Sequence, residues 1–270
     1  MALVAVPAWH DELDLHAGPP QAAMGTRALD DSRWFLVDDE WSAQRAAAAR
    51  LVTEHRTDVL AGASTSVAAE VLDDAIVAWL GVDDVAEPDA LARARLRVAD
   101  DLCLLTPSDD GWLLAAGCVC FPSYWRLAEK VGRPMALVHE PVPGYPGPFA
   151  ARVDGFLGRL RAGQGVWRRN WSIHRTDALF APVYEHVPMP PVAHRWLRSE
   201  YQTLRRLPGV DAVVFTIRTQ QVPVGVLGER PDVCASLAAA LRGWSAAQRA
   251  YKGGAVDDEL LRWLDVNAAR

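Results

Sequence analysis

The chain has 270 residues, half of them apolar, and a formal net charge of −6. That is ample for a substantial core, while the acidic balance argues against a nucleic-acid partner, because phosphate binding needs a concentrated basic footprint. The longest apolar runs, such as Trp112 to Cys120, are too short for a transmembrane helix, and no basic stretch leading into an apolar one marks a signal peptide.

Residues 1–31 are rich in Pro, Gly and Ala without a clear period and read as an extended, partly disordered lead-in. Helices are expected over Asp39 to His55, over Ser66 to Leu80 behind the caps Ser64 to Ser66, and over Pro88 to Ala99 with proline in the first turn. The pattern then changes. Leu102 to Thr106 and Trp112 to Phe121 read as a hairpin around Pro107 to Gly111. Pro122-Ser123 is expected to end the second strand and cap a short helix, Tyr124 to Val131, that stops at Gly132 and Pro134.

Met135 to Val138 reads as an apolar strand leading into a loop stiffened by Pro141, Pro143, Pro146 and Pro148. An amphipathic helix over Phe149 to Arg161 follows, with Phe149, Val153, Phe156, Leu157 and Leu160 on one face. Val166 to His174 reads as a strand, Trp196 to Arg206 as a helix or helical turn, and Ala212 to Thr219 as a β-branched strand. Asp232 to Ala250 is expected to be helical, with a final short helix after Tyr251 to Gly254. This order implies an α+β fold, an antiparallel sheet with surrounding helices and a helical N-terminal segment. The expected organisation is the lead-in to residue 31, one domain over 32–254 and a helical tail over 255–270.

Familiar signatures of catalysis are missing: no GxSxG, Walker loop or GxGxxG follows a strand, and His139-Glu140 runs into Pro141 rather than forming HExxH. Cys103, Cys118, Cys120 and Cys234 have neither zinc-ribbon nor disulfide-framework spacing and read as small buried residues, which makes a reducing cytoplasm the expected location. Only two lysines occur, Lys130 and Lys252, in a chain that otherwise uses arginine; a surviving lysine can mark a place where a compact ammonium is wanted.

Unusual residues concentrate between Phe121 and His174. Phe121 to Gly132 reads FPSxWRLxEKxG, Val138 to Gly144 reads xHxPVPG, and Trp167 to His174 reads WRxNWSxH. With Glu200 to Pro208, Phe215 to Thr219 and Tyr251 to Gly253 downstream, these blocks resemble the haem-dependent oxidative N-demethylase α-subunit family, most clearly from about Leu102 to Thr219. The resemblance implies a PAS-like antiparallel sheet holding b-type haem. It implies a monooxygenase that oxidises a small secondary or methylated amine and releases formaldehyde. Electrons would come from a partner reductase, where alone NADPH, FMN and iron–sulfur groups would reside. A homo- or hetero-oligomer is compatible with it. The alternative is a PAS-like haem-binding sensor or carrier that does not turn over.

Iron takes a neutral, accessible imidazole. His139, beside the proline-stiffened loop, is the first choice of metal ligand, and His174, ending a strand, the second; the sequence does not separate them. Arg126, Lys130, Arg168 and Arg169 are candidates for the haem propionates, against the plain reading that Arg126 and Lys130, four apart on a helix, face water. Trp125, Trp167 and Trp171 could line an apolar pocket, though such tryptophans are commonly core. On the strand, Trp167, Arg169 and Trp171 share one face, and Arg168, Asn170 and Ser172 the other. Glu140 and Tyr145 are the candidates for proton delivery or for holding an amine cation.

Overall fold

The computed structural model describes residues 9–13, 15, 24–82, 85–145, 147–184 and 186–270. Of the expected lead-in, residues 1–8, 14 and 16–23 lie outside the described residues, as does Pro146 of the proline loop. Strand β1 (Arg27–Ala28) comes first, then helices α1 (Trp41–Glu54) and α2 (Arg56–Val59) and strand β2 (Leu60–Gly62). Helices α3 (Val67–Leu80) and α4 (Ala90–Arg97) lead into the hairpin β3 (Asp101–Ser108) and β4 (Gly111–Cys118). After α5 (Met135–Val138) and α6 (Pro148–Arg159) come the long strands β5 (Gly165–His174), β6 (Trp196–Arg206) and β7 (Val213–Pro223). Helices α7 (Pro231–Arg242), α8 (Ala246–Lys252) and α9 (Asp258–Ala268) finish the chain. The sheet order is β1-β5-β6-β7-β3-β4-β2, with every pairing antiparallel. The expected α+β architecture is therefore observed. Among the described residues no helix is long and apolar enough to cross a membrane.

Local chemistry explains much of this. Ser66 caps α3 by accepting from the Ala69 N–H, and Gly81 closes it in a left-handed conformation, φ 74°. Asp89, rather than the adjacent Pro88, starts α4, its Oδ1 accepting from Leu91 and Ala92. A hairpin through Asp109-Asp110 joins β3 to β4 as the turn residues imply.

Four expectations are corrected. Trp196–Arg206 is no helix but a central strand, fully paired to β5 and β7. Its residues favour helix locally, yet both ladders saturate its backbone, and its polar side chains find cross-strand partners such as Thr203 to Thr216, 2.7 Å. Tyr124 to Val131 shrinks to one 3-10 turn, Leu127–Glu129. Tyr124 adopts φ 59°, and its N–H is taken by the Ala181 carbonyl at 2.7 Å, so a tertiary bridge replaces the first helical turn. Met135–Val138 is a helical turn instead of a strand: Pro134 supplies its start, and the Leu137 and Val138 N–H groups both donate to the Pro134 carbonyl. The single helix expected from Asp232 breaks after Arg242, and α8 restarts on a capping box made by Ser245 and Gln248.

The sheet has two unlike faces. One packs Leu102, Leu104 and Val214 against α1, α3 and α4, and Trp171, Ile173 and Leu197 against α7 and α9. The other is apolar only in part: Cys103, Leu105, Val213, Leu204 and Phe215 lie under α5 and α6. Beyond them the same face is polar, running through Arg168, Asn170 and Ser172 of β5 and Arg198, Glu200 and Gln202 of β6.

Candidate functional site

Because β5 and β6 pair antiparallel with Arg168 opposite Gln202 and Asn170 opposite Glu200, four polar side chains meet on one face. They form a chain of hydrogen bonds. Arg168 donates Nε–H to Gln202 Oε1 at 2.8 Å, and Gln202 Nε2 donates to Glu200 Oε2 at 2.9 Å. From the other side, Lys252 at the end of α8 donates to Asn170 Oδ1 at 2.7 Å, and Asn170 Nδ2 donates to the same Glu200 oxygen at 3.2 Å. Two cations thus reach one carboxylate oxygen through two amides. Lys252 also caps the Trp171 carbonyl at 3.0 Å. Desolvation, set against the attraction of Glu200, lowers the Lys252 pKa from 10.5 to about 8.

Arg168 is exposed, yet desolvation lowers its guanidinium pKa as well. Its terminal nitrogens have no protein acceptor among the described residues. Glu200 and Tyr145 both act on it electrostatically.

His139 sits at the end of α5. Its Nδ1 faces the Met135 carbonyl at 3.0 Å, and its ring stacks on Tyr145 with centroids 4.2 Å apart. Desolvation first, with Arg168 and Lys130 adding to it, lowers its pKa to about 4, so the imidazole is neutral at pH 7. With Nδ1–H given to the carbonyl, Nε2 carries the lone pair, and it has no partner among the described residues. Tyr145 is buried, and desolvation lifts its hydroxyl pKa to about 12.

His174 is different. It is 2% exposed, its Nε2 lies 2.9 Å from Ser172 Oγ and 3.3 Å from Ser123 Oγ, and the Tyr124 ring stacks on it at 4.9 Å. Desolvation lowers its pKa to about 3. Tyr124 is the one non-glycine among the described residues with positive φ, so backbone strain is held where its ring covers this histidine.

The remaining sequence candidates divide. Lys130 donates to the Val138 carbonyl at 2.8 Å and steadies the turn that carries His139. Arg126 is exposed ahead of the 3-10 turn rather than on a helix with Lys130. Glu140 is exposed beside His139. Arg169 and Trp171 point to the opposite face of the sheet, as the alternation of β5 requires. Arg169 binds Glu12, Ser199 and Gln220 there, and Trp171 stacks on Trp244 at 5.4 Å. Trp167 also lies on that side, against Tyr201, and Trp125 packs beside the α5–α6 cluster. A guest at Arg168 is therefore separated from Arg169 and Trp171 by the sheet itself. Glu200, Gln202 and Asn170 were quoted in the sequence blocks but given no role; only the β5–β6 register brings them together. Among the described residues no group of three or more His, Cys, Asp or Glu side chains forms a metal cluster.

Fold and face together define an α+β protein whose antiparallel sheet is sealed on one side and, on the other, offers a polar, accessible surface beside a neutral histidine. Residues 80–261, more than half the chain, match the family described as haem-dependent oxidative N-demethylase, alpha subunit-like, and the chain belongs to that family. Membership carries a haem-dependent oxidative N-demethylase-like role and, through the alpha-subunit description, a hint of a multi-subunit assembly.

Proposed function

We propose that this chain is a haem-dependent monooxygenase that removes a methyl group from a small secondary or methylated amine, releasing formaldehyde, with electrons delivered by a partner reductase. The observation that carries this reading is His139: neutral, fixed through Nδ1, stacked on Tyr145, and with its Nε2 lone pair uncommitted. The residues fit a b-type haem. His139 Nε2 would take the iron, and the outward nitrogens of Arg168 would grip a propionate by two parallel bonds. His174 is less suited, because two serine hydroxyls occupy its Nε2.

Bound haem would supply the oxidation of the C–H bond beside nitrogen. The chain's own groups supply orientation and protons. The Tyr145 hydroxyl stays protonated at neutral pH and its ring holds the imidazole plane. Glu140, exposed next to His139, would pass protons between solvent and the site. The apolar half of this sheet face, under α5 and α6, would wall a PAS-like pocket, with the polar half beyond it as the lining that meets the guest.

The test is the absorption spectrum of the protein given haemin, alongside His139→Ala and His174→Ala. A Soret band lost in His139→Ala and kept in His174→Ala is the expected result. A folded wild type that takes up no haemin, or a band lost only in His174→Ala, overturns the reading.

A further inference from the structure

The carboxylate of Glu200 is held in an unusual way. Its Oε2 accepts from Asn170 and from Gln202, whose own oxygens are occupied by Lys252 and Arg168. Its Oε1 has no partner among the described residues, and Glu200 is only half-buried. Both amides are locked, since each carbonyl oxygen is turned to a cation and each NH2 therefore to the carboxylate. The side chain is fixed with one oxygen saturated and the other presented.

The two cations stop one amide short of it: neither Lys252 nor Arg168 forms an ion pair with Glu200 among the described residues. The negative charge is polarised but not cancelled by a direct contact. A carboxylate oriented by neutral donors, with one oxygen left bare, is complementary to an N–H donor that brings its own positive charge.

We infer that Glu200 Oε1 anchors the substrate as its protonated alkylammonium, so that this protein takes charged methylated amines and rejects neutral N-methyl amides. The choice of an amine rests on the function proposed above; the anchor itself rests on the hydrogen-bond chain. Glu200 would fix the nitrogen, while the Asn170–Lys252 and Gln202–Arg168 arms keep the carboxylate from turning away when the site is empty.

Isothermal titration of the protein as isolated, with dimethylammonium chloride and separately with N-methylacetamide, tests this on the wild type, Glu200→Gln, Glu200→Asp and the surface control Glu129→Gln. Expected are dimethylammonium binding to the wild type and to Glu129→Gln, a loss of about tenfold or more in Glu200→Gln, a smaller loss in Glu200→Asp, and no measurable binding of N-methylacetamide. Equal affinity of wild type and Glu200→Gln overturns the inference, as do equal affinities for the two ligands, or no dimethylammonium binding with or without haemin. Melting temperatures of the same samples separate a lost anchor from a lost fold. Soret bands on those samples keep the two readings apart. Haem uptake with Glu200-independent amine binding sinks only the anchor. Glu200-dependent binding without haem uptake leaves the anchor and removes haem chemistry from it.

Discussion

Asp101 joins the core to the segment that carries the candidate site, and removing its charge is the sharpest test of that link. It is fully buried at the start of β3. Its Oδ1 accepts from Arg95 Nε at 3.0 Å and from the Cys120 N–H at 2.8 Å, and its Oδ2 accepts from the Phe121 N–H at 2.9 Å. Arg95 is also fully buried, with its guanidinium 5.0 Å from the centre of the Phe121 ring. On the far side Arg198 donates to the Phe121 carbonyl, so the chain entering Ser123 and Tyr124 is gripped at both backbone groups of one residue. Asp101→Asn keeps the shape but leaves Arg95 without a counter-charge, at about 3–5 kcal/mol for a broken buried pair. Its NH2 must also face a donor, which adds about 1–3 kcal/mol for one unsatisfied N–H. The sum, about 4–8 kcal/mol, approaches the about 5–15 kcal/mol that holds a typical domain together. Urea denaturation followed by tryptophan fluorescence should place the midpoint far below wild type. Combining the change with Arg95→Met should recover about 2 kcal/mol or more, because the buried guanidinium that lost its carboxylate is then gone. A single-mutant loss under about 1 kcal/mol, or a double mutant no better than Asp101→Asn, refutes the reasoning.

Gly62 has φ +87°, and a Cβ there would sit 2.2 Å from the Ala115 carbonyl oxygen, so Gly62→Ala should cost about 2–5 kcal/mol. Gly132→Ala, at φ +80° with nothing within 4 Å, should cost about 1–2 kcal/mol, and thermal melts of the pair check the ordering. Lys252 binds a proton less tightly folded (about 8) than unfolded (10.5), so its burden on stability is full below pH 8 and is relieved as pH rises toward 10.5. Denaturation at a series of pH values should show Lys252→Met lacking that upward slope, which for one proton is at most about 1.4 kcal/mol per unit. For His139 and His174 the folded values of about 4 and about 3 lie below 6.5, so stability is full above pH 6.5 and falls as pH drops through that window. His174→Ala should flatten the acid limb, and an unchanged limb would count against the burial of a neutral ring.

Helix α3 and the β3–β4 hairpin were legible because their signals are local: Ser66 and Gly81 at the ends of one, Asp109-Asp110-Gly111 in the other. So was the two-faced pattern of β5. Strand β6 was not legible, and its loss hid the site. Its Leu, Arg, Glu and Gln residues carry no strand preference, and what makes it a strand is pairing with segments about 30 residues upstream and about 15 downstream. Read as a strand, its alternate positions Arg198, Glu200 and Gln202 would have stood opposite Ser172, Asn170 and Arg168, an all-polar stripe on a sheet interior. Such a stripe points to a site where it is half-exposed and incompletely paired, as at Arg168 and Glu200, in contrast to the buried Arg169, Ser199 and Gln220 that bind one another on the packed face. The setting of His139 was hidden for a similar reason: four apolar residues after a proline suit a strand and a single helical turn equally.

The way the arginines are used separates structure from site. Arg195 is fully buried and satisfied by the Pro190 and Ala255 carbonyls, Asp257 and Glu259. Arg218, likewise buried, is tied to the Leu36 and Thr219 carbonyls, Gln44 and Asp38. Each spends its donors on fixing one segment to another, which is what a buried guanidinium must do to offset its desolvation. Arg168 is one residue from Arg169 and uses none of that logic. It gives a single Nε–H to a neutral amide and turns the rest of its fork into accessible space, while Arg169, across the sheet, is bound by Glu12, Ser199 and Gln220. Ordering a long cationic side chain for one neutral hydrogen bond adds little stability. The arrangement has a physical purpose once an anion sits on that fork; Arg168 also acts electrostatically on the neutral His139 imidazole and is joined through Gln202 to the half-satisfied Glu200 carboxylate. Three groups left incomplete by the fold, a cation, a lone pair and a carboxylate oxygen, are complementary to a propionate, an iron and an alkylammonium in turn.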